Sequence, residues 1–497
     1  MLWKDFEPGL DTLLGIVQSY AQRVRHEGNS YQQTLMYIQL QDDRNRPRTW
    51  GAPAPNTTAG TALALTEAET SELRPLIRRL HSLVMKDDFL DWTFLLAIRE
   101  ANLPLKLHRV YISQCPFFWE WEHHHHLILT PDLRDLQMTT LLKPTWPTIF
   151  KSLARLAPNI EFLSLDGQTV IKWGWEPSPG IDEHTLLSIS ALSQLKTLHL
   201  PSLSESLLMK LLPRFALLPK LEHLDSEHDS GLEKLELVPP LIGFPAFRSL
   251  HWGHSVTLLP HLFQSIQSPN FSSLLIIQRN PVVSFVLRDV LQHLTKLHGS
   301  TLMSFIYHIS SLLWFNDRDV DESQGRITIH ELQPLLDCRN LTTLKLMGHI
   351  EVRLLSDDIQ KICDSLSKLQ CFQAATDIAD EDGNSLLTTI DLQPFSCLPD
   401  LEHLFIQFDG SDVTADELKG IPKSISKLRY FDVSSSVPPA SAQDFVSAVR
   451  RMFPILDILS YETDSDSTGS DNDLFEDKQK PRDWYKVSSL LKRKRKI

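Results

Sequence analysis

The sequence predicts an α/β fold: an irregular leucine-rich-repeat solenoid, with a curved parallel sheet on the concave face and helices on the convex face. Three observations predict it. A short motif, LxxLxL in loose form, recurs twelve times along the 497 residues. Most copies start 24 to 32 residues apart, with longer gaps after Ile160 and Leu302. Helix-like segments, such as 182–194 and 356–368, fall between copies. One strand and one helix cannot bury their own apolar faces, whereas stacked copies can.

The motifs read LHRVYI from Leu107, LRDLQM from Leu133, IEFLSL from Ile160, LKTLHL from Leu195, LEHLDS from Leu221 and FRSLHW from Phe247. They continue as FSSLLI from Phe271, LMSFIY from Leu302, LTTLKL from Leu341, LQCFQA from Leu369, LEHLFI from Leu401 and LRYFDV from Leu428. Alternation with period two makes each a short strand. The fourth and sixth positions point into the core and the fifth points out. The outward set is Tyr111, Gln137, Ser164, His199, Asp225, His251, Leu275, Lys345, Gln373, Phe405 and Asp432. This is the candidate protein-binding face. Most copies lack the asparagine that follows the strand in the regular consensus, which makes the array irregular.

The flanks divide as follows. Residues 1–40 read as helical and then extended. Residues 41–62, rich in Pro, Gly and polar side chains, read as an exposed loop. Residues 63–100 read as a helical N-terminal cap, opened by a capping box between Thr66 and Glu69. Leu73, Leu76, Leu80 and Leu83 keep helical spacing there, and the alternative is a degenerate first repeat near Ile77. The array covers 101–460. Residues 461–480 read as an acidic disordered loop, with seven acidic residues and no basic one between Glu462 and Asp477. Ser470 and Thr463 each have an acidic residue three positions on, a spacing that suits an acid-directed kinase. Residues 481–497 read as a capping helix and a basic tail, KRKRKI. That tail suits nuclear import or the negative end of a helix dipole, and the expected location is cytoplasmic, nuclear or both.

Composition narrows function by exclusion. A formal net charge of −13 disfavours bulk nucleic-acid binding. No run of eighteen apolar residues suggests a membrane span. Five cysteines, with no CxxC pair, argue against a disulfide framework or zinc cage. P-loop, dinucleotide, GxSxG and HExxH patterns are absent, so neither an enzyme nor a cofactor is expected. The histidines at 123–126 read as a surface loop rather than a metal cluster, because adjacent residues do not share one face of a strand or helix. Phe117, Phe118, Trp119 and Trp121 precede them as a candidate sticky patch. Asp317, Asp319, Asp321 and Glu331 imitate a calcium loop, but an insertion replaces the glycine its turn requires.

Several stretches resemble the F-box leucine-rich proteins of basidiomycete fungi. YAQRVRHE (20–27), LTPDLRDLQM (129–138), ITIHELQPLLDCRNLTTLKL (327–346) and LSDDIQKICDSLSKLQCF (355–372) carry the likeness. LPDLEHLFIQFD (398–409) and FVSAVRRMFPIL (445–456) extend it. Ser367 stands where the family usually has proline. The resemblance implies substrate recognition for ubiquitination, with docking to a Skp-type adaptor through a helical F-box. Met1-Leu2-Trp3 aligns just after that F-box, so most or all of the docking element is expected to be missing. A stand-alone repeat scaffold with no ligase link is the alternative.

Overall fold

A computed structural model of the chain describes residues 33–41, 47–55, 65–77, 81–85, 92–103, 105–113, 125–139, 146–166, 188, 190–200, 205–227, 242–278, 284–309, 326–348, 351–374, 387–411, 420–421, 424–434, 436–461 and 480–493. The YAQRVRHE stretch, the aromatic run at 117–121, Asp317 to Asp321, most of the 182–194 segment, the acidic segment with Thr463 and Ser470, and residues 494–497 lie outside the described residues. Two compact units result: residues 1–247 with 265–268, and residues 248–264 with 269–497.

In the first unit, β1 (Gln33–Gln41) and β2 (Pro47–Pro55) pair antiparallel as a hairpin. The exposed loop expected over 41–62 is therefore partly strand. Its Pro and Gly residues, read as loop signals, are compatible with the extended backbone of an isolated two-stranded pair, where no central ladder position is lost. Helix α1 (Glu67–Ile77) opens on the expected capping box: Thr66 N donates to Glu69 Oε2 at 2.8 Å, and Glu69 N donates to Thr66 Oγ1 at 3.2 Å. The helix ends at Ile77, and β3 (Ser82–Met85) follows, so Leu83 belongs to a strand and not to the helical stripe. Helix α2 is Trp92–Glu100. Then come β4 (Arg109–Ser113), β5 (Asp135–Thr139), α3 (Trp146–Leu156), β6 (Phe162–Asp166), β7 (Thr197–Leu200), α4 (Glu205–Ala216) and β8 (His223–Glu227). Strands β3 to β8 form a parallel ladder in chain order.

The second unit contains β9 (Ser249–Gly253), β10 (Ser273–Gln278), α5 (Ser284–His298), β11 (Ser304–Ile309), β12 (Arg326–Thr328), β13 (Thr343–Gly348), β14 (Glu351–Arg353) and α6 (Ser356–Ser365). It continues through β15 (Cys371–Ala374), β16 (His403–Ile406), β17 (Tyr430–Asp432), α7 (Ala442–Met452), β18 (Ile458–Ser460) and α8 (Lys480–Arg493). Strands β9, β10, β11, β13, β15, β16, β17 and β18 pair in that order, all parallel, while β12 and β14 pair with each other. All twelve motifs supply strands of these two ladders. Two further repeats complete them: one from Leu80, three residues beyond the alternative start near Ile77, and one from Leu456.

The same arithmetic builds every repeat. The fourth motif position is fully buried, as in Val110, Leu136, Leu163 and Leu198 of the first unit and Leu274, Phe305, Leu344 and Phe372 of the second. The first position is buried as well, from Leu107 to Leu221 and from Phe271 to Leu428. Where a strand begins, one carbonyl accepts two successive N–H groups of the next repeat. Arg134 O takes Glu161 N and Phe162 N at 2.8 and 2.9 Å, and Met303 O takes Thr342 N and Thr343 N at 2.8 and 3.0 Å. This shared acceptor fixes the stagger between repeats, and so the register of every outward side chain. Gly348 ends β13 with φ 80°, and a Cβ there would fall 1.9 Å from the Ile309 carbonyl. Only glycine lets the chain turn so close to the preceding strand.

His298 shows a titratable group held inside the apolar layer. It is 6% exposed, packs on Phe263 and Phe271, and its Nε2 lies 3.3 Å from the Phe263 carbonyl. Burial lowers its pKa, against a smaller opposing effect of that carbonyl. The unfolded chain takes up this proton near pH 6.5, whereas the folded chain resists it. The resulting stabilisation is complete above about pH 6.5 and is lost as pH falls from there towards the lowered folded-state value. Urea titrations should show stability declining over that window, and His298→Gln should flatten the decline relative to the parent chain. An unchanged slope would assign the acid sensitivity to other groups.

Candidate functional site

The fifth motif position forms one register row in each unit. In the first, Tyr111 pairs across to Gln137, Gln137 to Ser164, Ser164 to His199 and His199 to Asp225. In the second, His251 leads to Leu275, Leu275 to Ile306, Ile306 to Lys345, Lys345 to Gln373, Gln373 to Phe405, and Phe405 to Asp432. All of these side chains are half-buried, between fully buried neighbours of the same strand. The sequence-derived set omits Ile306 and Ser460, which occupy the same row. Both were legible as fifth positions, Ile306 in the motif from Leu302 and Ser460 in the unassigned repeat from Leu456.

The row of the first unit is braced by its own charges. Arg109 Nε lies 3.7 Å from Asp135 Oδ2, and Gln137 Nε2 donates to Asp135 Oδ1 at 3.2 Å. Burial raises the Asp135 pKa, and the Gln137 hydrogen bond and the Arg109 charge oppose that rise. His199 packs on Phe162, with its Nδ1 3.6 Å from Asp225 Oδ2. At the strand starts, Lys196 donates to Glu161 at 2.6 Å, and Arg134 lies 3.9 Å from the same carboxylate. The hydrogen bond from Lys196 holds Glu161 below the usual carboxylate range.

The row of the second unit is chemically different. Leu275, Ile306, Ile277 and Met347 bring apolar side chains near Lys345, with half-buried His308 between Ile277 and Met347 and Gln373 on the next strand, and Phe405, exposed His403 and Tyr430 lie further along. His403 and Tyr430 are ring neighbours at 5.7 Å. Asp432 accepts from Tyr430 Oη at 3.3 Å and from Ser434 N at 2.9 Å. On the helical side, a groove of 380 Å³ lies between α5 and residues 333–337. Arg288, Lys296 and Asp337 are among its lining residues, and Arg288 also bonds His330.

Other groups singled out by sequence have structural roles. His125 is not on a surface loop: it is 8% exposed, and its Nε2 lies 3.0 Å from Ser152 Oγ. The flanking Leu127 and Ile128 are buried, and they carry the imidazole inward to that hydroxyl. Glu331 closes a capping box, accepting from Thr328 N at 2.8 Å and Thr328 Oγ1 at 2.7 Å. Burial pushes the Cys338 thiol up to about 12, and raises Cys363 and Cys371 too, so these thiols stay protonated. Among the described residues, no three His, Cys, Asp or Glu side chains gather to hold a metal, and no helix is long and apolar enough to cross a membrane.

No family model and no curated protein matches the chain. Among solved structures, the chain is similar to one from the complex of Rad7 and Elc1 in yeast, at 14% identity over 82% of this chain and 90% of the other, with a TM-score of 0.37. It is also similar to internalin C2 from Listeria monocytogenes, at 12% identity over 57% of this chain and 77% of the other, with a TM-score of 0.24. The repeat architecture rests on the strand register itself: two parallel ladders whose rows alternate between core and surface.

Proposed function

We propose that the chain is a protein-recognition module that binds an extended protein segment along the outward strand face. By the sequence resemblance to F-box proteins, it would be the substrate-recognition part of a ubiquitin ligase adaptor. The observation that carries the first statement is the in-register row of half-exposed, chemically varied side chains running across strand after strand. A rigid face of this kind gives a long contact area with little ordering cost on the protein's side.

A photo-crosslinking residue at Gln373 tests the face. It is expected to capture a discrete protein that the same crosslinker at Leu297, on the helical side, does not capture. Replacing both Phe405 and His403 with alanine should lower that capture about tenfold with an unchanged melting temperature, because aromatic anchors dominate such contacts. Equal capture from both sides, or capture indifferent to the double replacement, would remove the strand face as the site. The ligase link has its own measurement: binding of purified Skp-type adaptor to this chain. Robust binding supports the link and overturns the expectation that the docking element is missing, whereas no binding leaves the scaffold reading.

A further inference from the structure

We propose that the strand face of the second unit takes a segment in polyproline-II conformation, reading apolar-x-x-acidic-x-x-apolar, with its acidic residue on Lys345. This rests on the strand-face reading above and adds the partner's chemistry.

Charge points to an acidic residue in the ligand. Lys345 stands in the middle of the row, half-buried, with Ile306 on one side and Gln373 on the other. Among the described residues no carboxylate pairs with it. Lys196, Lys361 and Lys427, by contrast, each hold one at 3.1 Å or less. The nearest acid of its own row, Asp432, is three strands away and already accepts from Tyr430 and Ser434. Lys345 is half-buried beside Ile306, Met347 and the uncharged Gln373, a setting that favours a ligand bringing a negative charge to it.

Spacing points to the polyproline-II conformation. Leu275 lies two strands to one side of Lys345 and Phe405 two strands to the other. At about 4.8 Å per strand, each apolar anchor is roughly 10 Å from the charge. A β-strand ligand lying across the row places same-face residues about 7 or 14 Å apart, which fits neither anchor. A polyproline-II segment rises about 3.1 Å per residue with three residues per turn, so its residues i and i+3 share a face about 9 Å apart. Its backbone makes no internal hydrogen bonds and needs outside partners. Ser273, Ser304 and Thr343 form a register row of hydroxyls beside Leu275, Ile306 and Lys345, where they can supply them, and Cys371 and His403 continue that row towards Phe405.

The test is selection of a random peptide display library on the immobilised full chain. The expected result is enrichment of an acidic centre flanked by apolar residues three positions away on each side, about tenfold over a basic centre. Lys345→Glu should invert the preference to a basic centre, and Leu275→Asp should erase the apolar preference on one side only, both with unchanged melting temperature. An acidic preference that survives Lys345→Glu, an apolar spacing other than three, or no acidic enrichment overturns the proposal. Partner capture at Gln373 together with any of those outcomes discards the polyproline-II motif alone. Loss of strand-face capture discards the binding face as well.

Discussion

Phe305→Ala should destabilise the second unit by about 3–5 kcal/mol, while Ile306→Ala, one residue later, should cost about 1 kcal/mol or less. Phe305 is fully buried, and its register neighbours on the two adjacent strands are Leu274 and Leu344, which are equally buried. Truncation leaves a cavity in the middle of the ladder that a close-packed repeat core cannot collapse around. Ile306 is on the opposite face and half-exposed, so its loss removes surface without opening the core. Native-state hydrogen exchange is the suitable measurement, because repeat proteins lose stability locally before they lose it globally. Exchange in the Phe305 variant should accelerate most at the amides of Ser273–Gln278 and Thr343–Gly348. Similar losses for the two variants would overturn the assignment of inward and outward faces.

That contrast marks what the sequence made legible. Period-two alternation is a strong signal when it recurs, and the core was readable because leucine or phenylalanine fills the first and fourth motif positions with only Ile160 and Val110 as exceptions, although the inward sixth position ranges from Ser226 to Trp252. Ile306 is absent from the outward set although its place in the motif, the same as that of the equally apolar Leu275, marks it as outward. The repeat from Leu80 was harder to see. Leu73, Leu76, Leu80 and Leu83 satisfy helical spacing and the LxxL strand motif equally well, so the helix boundary at Ile77 decides between them. Boundaries depend on cap chemistry and tertiary pairing more than on periodicity. His125 failed for another reason. A run of histidines reads as polar, yet Ser152, 27 residues away, supplies the hydrogen bond that makes burial of one imidazole tolerable. The row of candidate binding residues was legible as a row. Its chemistry, with a braced first unit and a mixed second unit around Lys345, which meets no carboxylate among the described residues, depends on cross-strand neighbours that no linear spacing displays.

The end of the second unit should be as sensitive as its centre. Trp484→Ala is expected to cost about 3–5 kcal/mol, with Tyr485→Ala close to neutral. Trp484 is 4% exposed and meets Phe408 and Phe445 edge-on, at 6.2 and 5.3 Å. Phe408 in turn stacks on Phe431 of β17, so the indole covers an aromatic column that begins in the sheet. Its Nε1 donates to the Ser436 carbonyl at 3.3 Å, and Arg450 Nη2 donates to the Leu490 and Leu491 carbonyls at 3.3 and 2.7 Å. Helix α8 is thus pinned near both ends, and two of its last four carbonyls accept from α7. Tyr485 is 66% exposed and touches none of this. Trp484→Phe should fall between, losing the hydrogen bond and part of the ring for about 1–2 kcal/mol. In hydrogen exchange, the alanine variant should loosen residues 436–461 first and leave Ser304–Ile309 protected. Uniform loosening of the whole unit would show that α8 holds the array as one cooperative body and does more than seal its last repeats.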